Sequence, residues 1–173
     1  MGARGNPNFD DGRHTAGMIA YVDGSSRNNS GAAGIGVVIE HPSGRRVEIS
    51  QSIDASDNNY AEYAALLAAL EYATAYESPR LEVYSDSEVV VRQVNGAYTC
   101  QSPALLEIYN ACKTVIASFR HFAITHIGRE NNAEADRLAK QAIDRAIRDK
   151  PAESAEPGFE TAPRRFLPLE QTS

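Results

Sequence analysis

Tryptophan is absent from these 173 residues, cysteine occurs only twice, and no apolar run is long enough to cross a bilayer. The last two features each close off a class of function. Cys100 and Cys112 form no C-x-x-C pattern, which argues against a disulfide framework or a cysteine zinc site. Cys112, set among Ile108, Tyr109 and Ile116, reads as a buried thiol. The most apolar stretch, Ala61 to Ala75, is broken by Glu62 and Glu71 and falls short of a membrane span. The opening MGARGNPNFDDGRHTAG carries acids and no apolar core of the kind that signals export. A soluble, cytoplasmic protein with no membrane partner is expected.

An excess of positive charge is also missing. Lys and Arg number 17 against 23 Asp and Glu, a net charge of −6 that at first argues against a nucleic-acid partner. The distribution says more. Residues 1–17 carry two Arg and two Asp, and residues 145–173 carry five basic and five acidic groups, so the whole −6 belongs to the centre.

What is present is a single domain's worth of alternating pattern. Residues 1–17, rich in Gly, Asn, Asp and Arg without periodicity, read as a flexible leader. Residues 18–148 form the expected domain, and 149–173, with four prolines and scattered charge, a Pro-rich disordered tail. Within the domain Met18 to Val22 reads as a strand ending at Asp23 and Gly24. Gly34 to Glu40 and Arg46 to Ile53 read as a hairpin turning through Pro42 and Gly44. Asn58 to Tyr76 reads as a long helix with Leu66, Leu67, Leu70 and Ala73 inward. Leu81 to Tyr84 is a strand, Ser87 to Asn95 a helix, and Pro103 to Ser118 another, with Leu105, Leu106, Tyr109 and Ile116 toward the core. Phe122 to Ile127 is the fifth strand and Ala133 to Arg148 the last helix. This order predicts an α/β fold with a five-stranded mixed sheet flanked by helices. Strands one to three are antiparallel, and four and five run parallel to the first.

Four acids stand out against this frame: Asp23, Glu62, Asp86 and Asp136. Singly, each has a plain explanation. Asp23-Gly24 is a turn dipeptide, and Glu62 suits a helix start. Ser85 to Glu88 fits a capping box with Ser85 as cap, and Asn131 with Glu134 does the same for the last helix. Jointly they are harder to dismiss. Parallel neighbouring strands one and four would set Asp23 and Asp86 side by side at the sheet end where open α/β sheets bind ligands. Glu62 and Asp136 lie one turn into helices that can reach that end. Arg137, next to Asp136, is the one Lys or Arg that adjoins any of them in sequence. Four converging carboxylates therefore need a hard cation, Mg²⁺ or Mn²⁺.

The flanking residues carry a resemblance. Y-V-D-G-S-S at 21–26, G-x-x-G-I-G at 31–36, N-N-x-A-E-Y at 58–63, S-D-S-x-x-V-V at 85–91 and H-I-x-R-E-x-N-x-x-A-D-x-L-A at 126–139 resemble, in order, the blocks of the type I ribonuclease H family. The resemblance runs from Met18 to about Ile143. It implies the ribonuclease H-like fold and an endoribonuclease that hydrolyses the RNA strand of RNA–DNA hybrids, leaving 5′-phosphate and 3′-hydroxyl ends. Two Mg²⁺ ions, or Mn²⁺, would be held by Asp23, Glu62, Asp86 and Asp136, with Asp23 bridging both. Hybrid contacts are implied for Gly24, Ser25, Ser26, Asn29, Asn58, Asn59 and Ser87.

Helix capping is the plainer reading of Asn58 and Asn59, and helix-start bonding that of Ser87. His126 matches a family histidine that assists proton transfer or product release, though its strand face with Phe122 and Ile124 suits a structural histidine. Arg129 suits a phosphate or a surface ion pair with Glu130 or Glu134. Some features depart from the family pattern. Asn28, Asn29, Ser30 and Gly31 replace the usual G-N-P-G. Asp57 replaces a threonine, where its charge would repel a DNA phosphate. The stretch Gly96 to Ser118 has one basic residue, Lys113, where larger members carry a basic protrusion. Weak grip on hybrids and some cleavage of double-stranded RNA are expected. The contrasting reading is a non-catalytic hybrid-binding module of the same fold.

Overall fold

The computed structural model describes residues 16–27 and 31–150; most of the leader, Asn29 and the Pro-rich stretch after 150 lie outside them. Five strands and four helices follow in the expected order. They are β1 (Met18–Arg27), β2 (Ala32–Glu40), β3 (Arg46–Asp54), α1 (Asn58–Ala75), β4 (Arg80–Ser85), α2 (Glu88–Val94), α3 (Pro103–Ile116), β5 (His121–His126) and α4 (Ala133–Arg148), with a 3-10 turn at Arg129–Asn131 before α4. The sheet order is β3-β2-β1-β4-β5, so β1 is central. It pairs antiparallel with β2 and parallel with β4, and β5 runs parallel to β4.

Alternation divides the sheet into two faces. Met18, Ala20 and Val22 of β1 join Ile35, Val37 and Ile39 of β2 in one core with Tyr63, Leu66, Leu70 and Ala73 of α1. On the other face α4 lies over β2, where Gly34 and Gly36 stand in place of side chains. A Cβ on Gly36 would come 2.0 Å from the Ala135 carbonyl oxygen. Alanines along α1 do the same work on the first face, because small side chains let a helix axis approach a sheet closely.

Some local expectations change. The first strand does not stop at Asp23. Gly24, Ser25, Ser26 and Arg27 continue the ladder against Ile35, Gly34, Ala33 and Ala32. Gly24 is required by packing and not by a turn: a Cβ there would lie 2.0 Å from the Ala61 carbonyl carbon of α1. The cap of α1 is Asp57, whose Oδ1 accepts from the N–H groups of Asn59 at 2.7 Å and Tyr60 at 3.4 Å, so Asn58 and Asn59 do not cap it. The cap of α2 is Ser87 and not Ser85, and Glu88 pairs instead with Arg92 at 2.8 Å. On α3, Ile108 and Cys112 face inward while Leu106 is exposed. The Cys112 thiol is buried as expected, and burial pushes its pKa up to about 12.

These close approaches set an expectation for stability. Gly36→Ala forces a methyl group into the α4 backbone and should destabilise the fold by about 3 kcal/mol, the upper end of ordinary overpacking. Urea unfolding of the two proteins, compared at equal slope, reads it directly.

Candidate active site

The register of β1 and β4 brings the first two acids together. Val22 stands opposite Ser85, so Asp23 and Asp86 are the next residues on two parallel neighbours. Glu62 comes from the second turn of α1, and the Gly24 that admits the helix also holds this side chain. The Gly24 N–H donates to Glu62 Oε2 at 3.1 Å. Ligand oxygens of Asp23, Glu62 and Asp86 all lie within 4.8 Å of one another. Asp23 is 5 % exposed and Glu62 6 %.

Asp136 reaches the same cleft from α4. The cleft measures about 270 Å³ and is also lined by Gly24, Ser25, Asn58, Ser87, Arg129 and Lys140. Asp136 stands apart from the tight trio, and Lys140 Nζ donates to its Oδ2 at 2.7 Å. Two basic side chains thus border the cleft, although neither adjoins one of the four acids in sequence. Lys140 follows Asp136 by one helical turn. Arg129 brings Nε to 3.8 Å from Asp86 Oδ2, with its side chain 93 % exposed. Neither expected pairing of Arg129 is found, because Glu134 takes Arg46 at 3.3 Å and Arg137 at 3.0 Å.

The electrostatics are those of an uncompensated acidic cluster. Burial pushes the Asp23 carboxyl up to about 8, and the charges of Asp86 and Asp136 add to the effect. Burial pushes Glu62 up to about 9, with the Asp23 charge adding to it and the Gly24 N–H opposing it. Two of the three carboxyls thus keep their protons near neutral pH unless a cation replaces them. The donors are all oxygen and closely spaced, which fits a hard divalent cation.

Other expected site residues are distributed unevenly. Asn58 lines the cleft, and its Oδ1 accepts from Ser26 N–H at 3.2 Å, tying the start of α1 to the end of β1. Asn59 and Ser26 are not among the cleft-lining residues; Ser26 Oγ donates to the Ser56 carbonyl at 3.4 Å. Ser87 lines the cleft and accepts from Val90 N–H at 3.4 Å. His126 is exposed at the end of β5 and is not a core histidine, nor does it line the cleft. Sequence reading missed Lys140 and Asn132. The first was signalled by its i+4 spacing from Asp136. The second stood as the asparagine of the R-E-x-N block, but capping logic had favoured Asn131.

Comparison with known proteins identifies relatives in sequence and in fold. A family model described as reverse transcriptase-like matches residues 21–142. Ribonuclease HI of Halobacterium salinarum is 38% identical over 128 residues, covering 73% of this chain and 64% of that protein. Ribonuclease H of a Cyanothece species is 36% identical over 134 residues, covering 69% and 85%. Among solved structures, LC11 ribonuclease H1 in complex with an RNA/DNA hybrid superimposes with a TM-score of 0.69 at 39% identity, covering 75% of this chain and 99% of that one. The mixed five-stranded sheet with its flanking helices is thus shared with the solved ribonuclease H1 structure. The chain belongs to the reverse transcriptase-like family of ribonuclease H domains. It spans only 38% to 64% of the length of the first curated relatives it matches.

The raised carboxyls fix the sign of a pH effect. Between about pH 4, where unfolded Asp and Glu ionise, and the folded values of about 8 and about 9, the folded chain binds more protons than the unfolded one. Raising pH through this window therefore removes stability. Melting temperatures in EDTA should fall steadily from pH 5 to pH 9. Asp86→Asn, which removes a charge acting on Asp23, should flatten that fall.

Proposed function

We propose that this protein is a metal-dependent endoribonuclease that cuts the RNA strand of RNA–DNA hybrids, leaving 5′-phosphate and 3′-hydroxyl ends. The observation that carries the reading is the trio Asp23, Glu62 and Asp86, held within 4.8 Å in a cleft too acidic to stand ionised alone. Family membership and the hybrid-bound relative support it.

Asp23, Glu62 and Asp86 would hold one Mg²⁺ ion, and Asp23 with Asp136 a second; Mn²⁺ suits the same oxygens. Ions so bound lower the pKa of water and offset charge on the attacking and leaving oxygens of the phosphodiester. The remaining work falls to the chain itself. Gly24 N–H fixes the Glu62 carboxylate, and Lys140 holds Asp136 while moderating its charge. Arg129, mostly exposed above Asp86, is placed to meet a phosphate at the cleft mouth. With Oδ1 of Asn58 engaged by Ser26, its amide Nδ2 is the atom suited to donate to a ribose 2′-hydroxyl, the group that separates RNA from DNA. Gly24 and Ser25 complete that side of the cleft.

Grip on the second strand is weak in this scheme. Lys113 donates to the Val94 carbonyl at 3.1 Å, and Arg92 pairs with Glu88 and packs over the Tyr98 ring at 5.3 Å. A loose grip also favours some cleavage of double-stranded RNA.

Two measurements test the proposal. Labelled RNA–DNA, RNA–RNA and DNA–DNA duplexes are incubated with Mg²⁺ or EDTA beside Asp86→Asn. The hybrid should be cut fastest and only with metal. The variant should lose about a thousandfold or more, as expected where groups act as a unit. Binding without cleavage of any duplex would instead identify a hybrid-binding module, and equal cleavage of DNA–DNA would defeat the hybrid reading. Hybrid affinity should also fall gently with salt. A slope above about five phosphates' worth would contradict the weak grip.

A further inference from the structure

Asn132 occupies the N-cap of α4 and does not cap it. It makes no side-chain bond to the helix it precedes. Its Nδ2 donates instead to the Val22 carbonyl at 2.9 Å and to Asp86 Oδ1 at 3.3 Å. The residue is 1 % exposed, and its Oδ1 is buried without a hydrogen-bond partner among the described residues. The orientation of the amide is settled by its neighbours. Both groups facing that end are acceptors, so the NH₂ must point there, and its two hydrogens are both used.

This arrangement is expensive locally. An asparagine at an N-cap ordinarily stabilises its helix by accepting from the first turn. Here that bond is forgone, and a buried acceptor is left without a donor, which adds a desolvation cost. What the geometry secures lies across the sheet. Val22 precedes Asp23 on β1, Asp86 follows β4, and the Asn132 carbonyl accepts from Asp136 N–H at 3.1 Å. One buried side chain and its backbone thus tie together the three elements that deliver Asp23, Asp86 and Asp136.

We infer that Asn132 is a positioning residue of the acidic site, orienting Asp86 through its side-chain amide and locking that carboxylate to β1 and α4. The inference rests on the metal-site reading above and extends it to a residue that touches neither cation nor substrate. A neutral amide suits the task. It donates to Asp86 without adding a fixed cation that would compete with the metal. It leaves Asp86 Oδ2 on the side open to Arg129. A carboxylate of the same shape at 132 would have no hydrogen to give and would add a charge to the cluster.

The test compares Asn132→Ala and Asn132→Asp with wild type and with Asn95→Ala. Asn95 makes a similar single bond, Nδ2 to the Ile124 carbonyl at 3.1 Å, and does not line the cleft. Stabilisation against heat is titrated with Mg²⁺ alone, and hybrid cleavage is measured at saturating Mg²⁺. Loss of Asn132 should raise the Mg²⁺ midpoint of Asn132→Ala about 10- to 100-fold, the usual range for groups that orient a ligand. In Asn132→Asp, kcat should fall about tenfold or more with KM for the hybrid little changed. Asn95→Ala should lose stability but keep the wild-type midpoint. Should Asn132→Ala not fold, the question is read on the wild type by NMR: the Asn132 side-chain amide signals should move on adding Mg²⁺ while those of Asn95 stay fixed. Wild-type stabilisation by Mg²⁺ with an unchanged Asn132→Ala midpoint, or with unmoved Asn132 signals, overturns the inference alone. Wild type indifferent to Mg²⁺ and inactive on every duplex overturns the parent reading and this inference with it.

Discussion

Carboxylates buried within 4.8 Å of one another repel with an energy on the order of 4 kcal/mol per ionised pair at the effective dielectric of a protein. Without a cation, that repulsion is relieved by the protons that Asp23 and Glu62 retain near neutral pH, while Arg129 and Lys140 only border the trio. A frame that holds such groups must be stiff enough not to relax away from them. The paired strands β1 and β4 deliver Asp23 and Asp86, and α1 presses against β1 so closely that Gly24 alone fits beneath Ala61. The α4 helix sits on Gly34 and Gly36 for the same reason. Glycine and alanine do here what large side chains do in an ordinary core: they set the distance between layers, and so the distance between acids. The fold spends stability on concentrating negative charge. The return is a set of oxygens already assembled when a cation arrives.

The contacts that finish the site follow from this frame. Glu62 is held by the N–H of Gly24, which is also the residue that lets α1 approach. Asn58 fastens the first turn of α1 to Ser26, and Asn132 fastens the start of α4 to Val22 and Asp86. In each case an element terminus is bonded to the sheet end beside an acid. Ordinary helix-capping duties pass to Asp57 and Ser87, residues outside the trio.

Much of this was legible in the residues themselves. Alternation over Leu81 to Ser85 and the helical spacing of Leu66, Leu70 and Ala73 identify their elements. The parallel pairing that follows from chain order sets Asp23 beside Asp86. What escaped depends on partners distant in sequence. The extension of β1 past Asp23 is decided by β2, whose Gly34 and Ile35 give it a ladder, so a turn dipeptide became mid-strand. Ser85, Asn58 and Asn131 all look like caps locally, yet Asp57 caps α1, Ser87 caps α2, and α4 starts at Asn132 without a side-chain cap bond. Leu106 matches a helical stripe that α3 rotates partly into solvent. Lys140 and Asn132 belong to the site through three-dimensional proximity, which periodicity does not record.

The placement of Asp23 inside β1 carries a consequence for how the site lives and dies. A carboxylate on a loop can swing out, be lost for a moment and return while the domain stays folded. Asp23 has no such freedom, because its backbone is ladder-paired with Gly36 and the chain on both sides of it continues the strand. The acidic cluster therefore belongs to the same cooperative unit as the centre of the sheet. It persists intact for as long as the domain is folded and vanishes only with it. Regulation by partial melting is closed to such a centre, and control over it must come from what enters the cleft.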